Sequence, residues 1–323
     1  MRTLVAMPVF NEEKYVRGVL ERVLSIHPDV LIVDDGSKDA TPRILPDYPV
    51  HQIRHRDNLG YGASMRDAFR FAMDRRFDWV ITMDCDEQHE PAAIPRFIEA
   101  AEAAFPGTGQ DDADIISGSR YMNVKDRIGA PPADRRAINE TITAEINCRF
   151  ATLLGTTLTD AFCGFKAYRV KALRSMRPTV RGYAFPMQFW VQAAANRLRV
   201  RELPVRLIYN DPNRTFGATL DDPTVRLRHY RKVMHREMER QQAKLPRATL
   251  MGVCEPWPSV RSLLERRQCS TRPLTPGRDA DSAHGSESRP GEARDQRDQR
   301  NQREQHDTRI PCDPSTCRDY RAT

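Results

Sequence analysis

The sequence has no run of about 18 uncharged apolar residues, which excludes a helix that crosses a membrane. Its opening, Met1 to Phe10, lacks the zoned layout of a secretion signal and runs directly into Asn11 and Glu12. The seven cysteines (Cys85, Cys148, Cys163, Cys254, Cys269, Cys312 and Cys317) are odd in number, scattered, and form no CxxC pair. That pattern argues against a disulfide framework and against a zinc set built from the last four, and it fits a reducing, cytoplasmic setting. Large apolar side chains are scarce at the C-terminal end: from Arg266 to Thr323 there are only Leu274, Ile310 and Tyr320. Residues 266–323 cannot build a core and are expected to be disordered. A four-fold period of three from Arg294 to Gln305 is equally polar, and its acids nearly cancel its arginines, so nucleic-acid binding is not expected.

Without that tail, the hydrophobic share rises from 39% for the whole chain to about 44% for residues 1–265, a normal globular value. Of the net charge of +7, the tail holds +2 and the remainder +5, a weak bias toward anionic ligands or a membrane surface. The first 120 residues alternate strand and helix patterns. Strands are expected at Leu4–Met7, Val30–Val33, Val50–Arg54, Trp79–Met83 and Ile115–Ser117. Helices are expected at Glu12–Leu24, Gly62–Met73 and from Pro91 to about Ala104. Short-looped alternation of this kind predicts an α/β fold, a mostly parallel sheet flanked by helices. Beyond it come a helix from about Asp134 to Leu154, a strand at Lys166–Arg169, a helix at Pro186–Ala195 and a strand at Glu202–Tyr209. A basic helix follows from Pro223 to about Lys244, with Leu227, Tyr230, Met234 and Met238 on its apolar side. Arg226, Arg228, Arg231, Lys232, Arg236 and Arg240 are expected on the other side, either as a solvated face or as a contact for phosphates or lipid headgroups.

In such a sheet ligands bind beyond the carboxyl ends of the strands, and those ends carry Asp34, Asp35, Asp84 and Asp86. The pair in Asp84-Cys85-Asp86, with Gln88 two residues on, has the oxygen-donor spacing for a hard divalent ion bridging a diphosphate. A plain capping loop before the Pro91 helix explains the same residues, whereas a calcium EF-hand loop lacks its glycine and distal glutamate. Asp34-Asp35-Gly36-Ser37 reads equally as a turn or as a carboxylate site for a nucleotide base or ribose.

Taken together and in order, Pro8–Glu12, Val33–Ser37, Asn58–Gly62, Met83–Gln88, Gly118–Tyr121, Asp160–Phe165 and Glu202–Val205 resemble the family 2 inverting glycosyltransferases of the GT-A fold. The resemblance covers residues 1–240 and is greatest to dolichyl-phosphate mannose synthase and its bacterial polyprenyl-phosphate relatives. It implies that Pro8, Phe10, Glu12, Asp34, Asp35, Asp84 and Cys85 hold the donor nucleotide. It also implies that Asp84, Asp86 and Gln88 bind Mg2+ or Mn2+ and the diphosphate, with Asp86 catalytic. Arg214 resembles a mobile arginine that closes on the diphosphate, a task suited to a planar guanidinium. The donor is then a GDP- or UDP-linked hexose and the acceptor a polyprenyl phosphate, met peripherally at a membrane.

A lipid monophosphate, with a second pKa near 6, is already anionic and needs no strong base. A saccharide hydroxyl needs one, and Asp160 is the candidate for that alternative. A non-catalytic sugar-nucleotide-binding protein is the alternative of another class. In the lipid-phosphate relatives an arginine, a serine and an asparagine recur at four-residue steps; here Asn139, Thr143 and Asn147 take that register. An acceptor-phosphate pocket from Arg120, Arg135, Arg136 and Thr143 is expected instead, and Gln188 stands where the relatives carry glutamate. The expected organisation is a catalytic domain at 1–245, an extension at 246–265 and the polar tail at 266–323.

Overall fold

The computed structural model describes residues 1–104, 112–123, 127–210 and 218–250. They lie in a compact unit running from Met1 to Leu264. The strands are β1 (Thr3–Val9), β2 (Val30–Asp34), β3 (His51–Arg54), β4 (Trp79–Thr82), β5 (Ile115–Ser119), β6 (Arg127–Ile128), β7 (Lys166–Arg169), β8 (Val200–Pro204) and β9 (Leu207–Ile208). The α-helices are α1 (Val16–Leu24), α2 (Thr41–Ile44), α3 (Tyr61–Asp74), α4 (Ile94–Ala103), α5 (Ala133–Leu154), α6 (Val170–Leu173), α7 (Phe185–Ala195), α8 (Pro223–Arg240) and α9 (Arg247–Leu250).

Seven strands form one sheet in the order β3-β2-β1-β4-β7-β5-β8. All neighbours are parallel except β7, which runs antiparallel to both β4 and β5. β1, β2 and β4 read as near-continuous apolar runs because helices cover both faces of the sheet. Alternate side chains of β1 enter opposite cores: Leu4 and Ala6 pack with α3, α5, α7 and α8, while Val5 and Met7 pack with α1 and α4.

The expected alternation is therefore present, with three differences. The strand expected at Glu202–Tyr209 is two strands: β8 pairs with β5, and β9 pairs with β6 in a small separate sheet. Pro204, opposite Ser119, has no N–H to extend the ladder, and after Val205 donates to the Ser119 carbonyl the chain leaves the sheet. The helix expected to reach Lys244 stops at Arg240. Its charged residues also divide differently. Leu227, Tyr230, Met234 and Met238 are buried as expected, but so are Arg226 and Arg231. α8 packs against both α5 and α7, which widens its buried arc. The two arginines are accommodated by ion pairs to α5, Arg226 with Asp134 at 2.5 Å and Arg231 with Glu145 at 3.0 Å.

Candidate active site

Three loops at the carboxyl ends of β1, β2 and β4 build one side of the site. Each reverses through a left-handed residue: Asn11, Gly36 and Glu87, with φ of 55°, 74° and 61°. A Cβ on Gly36 would lie 2.6 Å from the Asp57 backbone carbon, so that turn requires glycine. Ser37 ties the first two loops together, accepting from the Asn11 amide at 2.9 Å while its own amide donates to Asp34 Oδ1 at 2.9 Å. Asp35 accepts from the amides of Leu59 and Gly60, both at 2.8 Å, and pairs with His55 at 2.7 Å, which anchors the start of α3.

These loops border a cavity of about 560 Å³. Its acidic side chains are Glu12, Asp35, Asp84 and Asp86, all at the ends of β1, β2 and β4. Its cations are Arg120, Arg135, Lys166 and Arg226, carried by the end of β5, the start of β7, α5 and α8. Because β7 is antiparallel, its first residue, Lys166, sits opposite Thr82 and Ser117 near the carboxyl ends of β4 and β5. The sheet order thus gives the cavity an acidic side over β2-β1-β4 and a cationic side over β7-β5. An aromatic wall that includes Phe162, Tyr183, Phe185, Trp190 and Tyr230 lines the same cavity.

Asp84 and Asp86 follow β4. The Asp84 amide donates to His89 Nδ1 at 2.8 Å, and the Gln88 amide donates to Asp86 Oδ1 at 3.0 Å. Burial pushes His89 down to about 4, so its imidazole is a neutral acceptor at pH 7. A Cβ on Gly164 would meet Asp84 Oδ2 at 2.8 Å, so this glycine makes room for the carboxylate. Asp84 stays about one-third exposed and both aspartates face the cavity, which suits a hard cation. Among the described residues no cluster of three or more His, Cys, Asp or Glu could hold an ion unaided. A divalent ion here would take its remaining ligands from diphosphate and water, as magnesium commonly does.

Of the residues expected to hold the donor, Pro8, Phe10, Glu12, Asp35, Asp84 and Cys85 line the cavity, as does Gln88. Asp34 does not: it is buried behind the turn, bonded to Ser37 and 3.2 Å from Arg54 Nε. Arg214 lies outside the described residues, as do Cys254, Cys269, Cys312 and Cys317. On the acceptor side Arg120 and Arg135 line the cavity, but Arg136 and Thr143 do not. Arg136 pairs with Glu140 at 3.0 Å, one turn along α5. Thr143 is buried, donating to Asn139 Oδ1 at 2.9 Å and accepting from the Ala161 amide at 3.1 Å.

Asp160 is fully buried and is not part of the cavity wall. It accepts from Arg120 Nε at 2.7 Å, from Asn139 Nδ2 at 2.8 Å and from the amides of Phe162 and Cys163 at 3.1 and 3.2 Å. Burial pushes its carboxyl up, but the charge and hydrogen bonds of Arg120, with Asn139, outweigh that and hold it at about 2. An anion so fully solvated by donors has little basicity. Asn139, where the resemblance leads one to expect arginine, donates to Asp160 in this cluster, and Asn147 brackets both backbone groups of Leu158 at 2.8 Å.

Sequence reasoning missed Lys166 as a site residue. It is buried, its Nζ donates to the Cys163 carbonyl, and it lies 5.5 Å from the Trp190 ring centroid. The available signal was a lysine opening a short strand whose first three residues are buried, a place lysine rarely occupies without a partner or a task.

The family described as Glycosyl transferase family 2 matches residues 4–177. Undecaprenyl-phosphate mannosyltransferase of Micrococcus luteus is 28% identical over 218 residues, 64% of this chain and 84% of that protein. Polyprenol monophosphomannose synthase of Mycolicibacterium smegmatis is 29% identical over 215 residues, 63% and 76% of the two chains. Among solved structures, glucosyl-3-phosphoglycerate synthase from Mycobacterium tuberculosis in complex with Mn2+, UDP and phosphoglyceric acid superposes with a TM-score of 0.52. It is 15% identical, over 76% of this chain and 79% of that one, and so shares the fold. With a sheet of this order, aspartates at the ends of β2 and β4, and a family match over more than half its length, the chain belongs to glycosyl transferase family 2 and is a glycosyltransferase of the GT-A fold.

Proposed function

We propose that this glycosyltransferase is a metal-dependent inverting enzyme that moves a hexose from a GDP- or UDP-linked donor to a polyprenyl phosphate. The observation that carries this reading is the two-signed cavity, acidic over β2-β1-β4 and cationic over β7-β5. Glu12 and Asp35 border the nucleotide end, and Asp84, Asp86 and Gln88 would hold Mg2+ or Mn2+ with the diphosphate. The ion, when bound, would neutralise charge growing on the leaving diphosphate. Arg214, by resemblance, closes on the same group. Arg120, Arg135, Lys166 and Arg226 offer an anionic acceptor its counter-charges, and the guanidinium forks can orient a phosphate oxygen toward the anomeric carbon.

The acids of the cavity all belong to its donor side, and Asp160 is saturated by donors. That favours an acceptor which brings its own negative charge over a hydroxyl that needs a base. The relatives named for undecaprenyl phosphate and polyprenol support the same choice. Among the described residues no helix is long and apolar enough to cross a membrane, so on this reading the enzyme meets its lipid from one side. Residues 266–323 take no part in catalysis, and truncation after Leu264 leaves donor turnover intact. The test is product formation from GDP- and UDP-hexoses with a short-chain polyprenyl phosphate and with saccharide acceptors, with magnesium or manganese. Transfer only to saccharides would overturn the acceptor assignment, and donor turnover unaffected by chelation would overturn the metal.

A further inference from the structure

Apolar side chains at the surface stand on or beside the segments that line the cavity. Tyr183 lines the cavity and is 46% exposed; Met122, next to the lining residue Tyr121, is 47% exposed. Ile128 is also exposed and pairs with Ile208, which lies between the lining residues Leu207 and Tyr209. Val225, exposed in the first turn of α8, precedes the lining residue Arg226. Of the seven exposed large apolar side chains among the described residues, five stand on or beside segments that form the cavity wall: Phe10 after β1, and these four. From Val225 one face of α8 continues through Arg228, Lys232 and Arg236, at steps of three, four and four residues. All three cations are exposed, and the stripe is about 16 Å long at 1.5 Å per residue. Glu239 is the one acidic side chain exposed on α8.

We propose that this rim and stripe are the surface by which the enzyme rests on an anionic bilayer. The inference builds on the polyprenyl-phosphate reading, since an acceptor whose phosphate enters the cationic end must leave its hydrocarbon chain outside the mouth. Four separate apolar side chains provide shallow insertion, and cations on a neighbouring helix face provide attraction to lipid phosphates; the two weak signals combine into useful binding. The charge of the stripe is what selects a lipid surface over an apolar protein partner.

The experiment is vesicle flotation of the full chain, using phosphatidylcholine alone and phosphatidylcholine mixed with phosphatidylglycerol, at low and high salt. The expected result is binding to the anionic vesicles at low salt. The triple variant Arg228→Gln, Lys232→Gln, Arg236→Gln should bind about a hundred-fold more weakly, three charges each contributing several-fold. Met122→Ser with Val225→Ser should weaken what remains, while all these variants keep wild-type turnover of a soluble short-chain polyprenyl phosphate. A wild-type chain that stays unbound, or a triple variant that floats equally well, overturns the proposal. Vesicle binding through the stripe without turnover of any polyprenyl phosphate would support the surface and refute the acceptor reading.

Discussion

The guanidinium of Arg120 and the carboxylate of Asp160 lie edge to edge, Nε to Oδ2 at 2.7 Å and Nη2 to Oδ1 at 3.0 Å. The arginine reaches the cavity and the aspartate does not, so the buried anion acts by holding the cation in place. Asp160→Asn should therefore destabilise the fold by about 3–5 kcal/mol, because it removes the charged half of a largely buried pair and leaves Arg120 without its counter-charge. Urea unfolding measures the cost. A catalytic base would behave differently, with kcat falling steeply while the unfolding midpoint stayed put.

The same pair sets an acid limit. The Asp160 carboxyl is held at about 2 against an ordinary 3.8. Its contribution is fully present above about pH 4 and is lost as the pH falls toward 2, where the folded state also takes up the proton. Its size is about 2 kcal/mol. Stability measured between pH 5 and pH 2 should fall less steeply in Asp160→Asn than in the parent, and parallel curves would refute the assignment.

Much of this arrangement was legible in the sequence, for identifiable reasons. Central strands are apolar on both faces, and motifs at their carboxyl ends mark where ligands go, so Asp35, Asp84 and Asp86 could be placed from spacing and order. The acceptor side was less readable because it is assembled across long separations. Arg120, Asn139 and Asp160 come from β5's end, α5 and a loop, and no local pattern joins them. Lys166 enters the cavity because β7 runs against its neighbours, a reversal that alternation of strands and helices does not announce. Arg226 looked solvated because helical periodicity alone could not show that α8 is covered from two sides.

On the proposed reading, Asp86→Ala lowers donor turnover at least about a hundred-fold, the usual cost of losing a group that stabilises charge on a leaving phosphate. Asp86 accepts from the Gln88 amide, so the variant also loosens that turn, and a thermal scan without ligand gives the structural baseline. The diagnostic measurement is the shift in unfolding temperature produced by nucleotide sugar with manganese. The parent should show it and the variant should not, since binding to the native state alone raises stability.

Lys166→Met keeps an unbranched side chain one atom shorter and removes its charge. Burial already lowers the lysine pKa and so works against the ammonium, and the fold should tolerate or gain from the change. On the proposed reading, KM for the acceptor rises about ten-fold or more while KM for the donor is little changed, consistent with one lost charge-assisted contact. Equal effects on both substrates would place Lys166 elsewhere in the reaction.

Gln188, at the position where the resemblance leads one to expect glutamate, faces Glu237. The Gln188 side-chain oxygen accepts from the Thr179 and Val180 amides at 2.7 and 2.8 Å, and its nitrogen donates to Glu237 Oε2 at 2.8 Å. Gln192 Nε2 donates to the other oxygen of Glu237, also at 2.8 Å. A glutamate at 188 would keep the two amide bonds but set a second carboxylate against Glu237 inside the α7–α8 contact. Gln188→Glu should cost about 2–3 kcal/mol, and Glu237→Gln in the same chain should recover most of it by restoring one donor and one charge. A double-mutant cycle by urea unfolding reads this directly. Additive losses would show that the two side chains are energetically independent despite their contact.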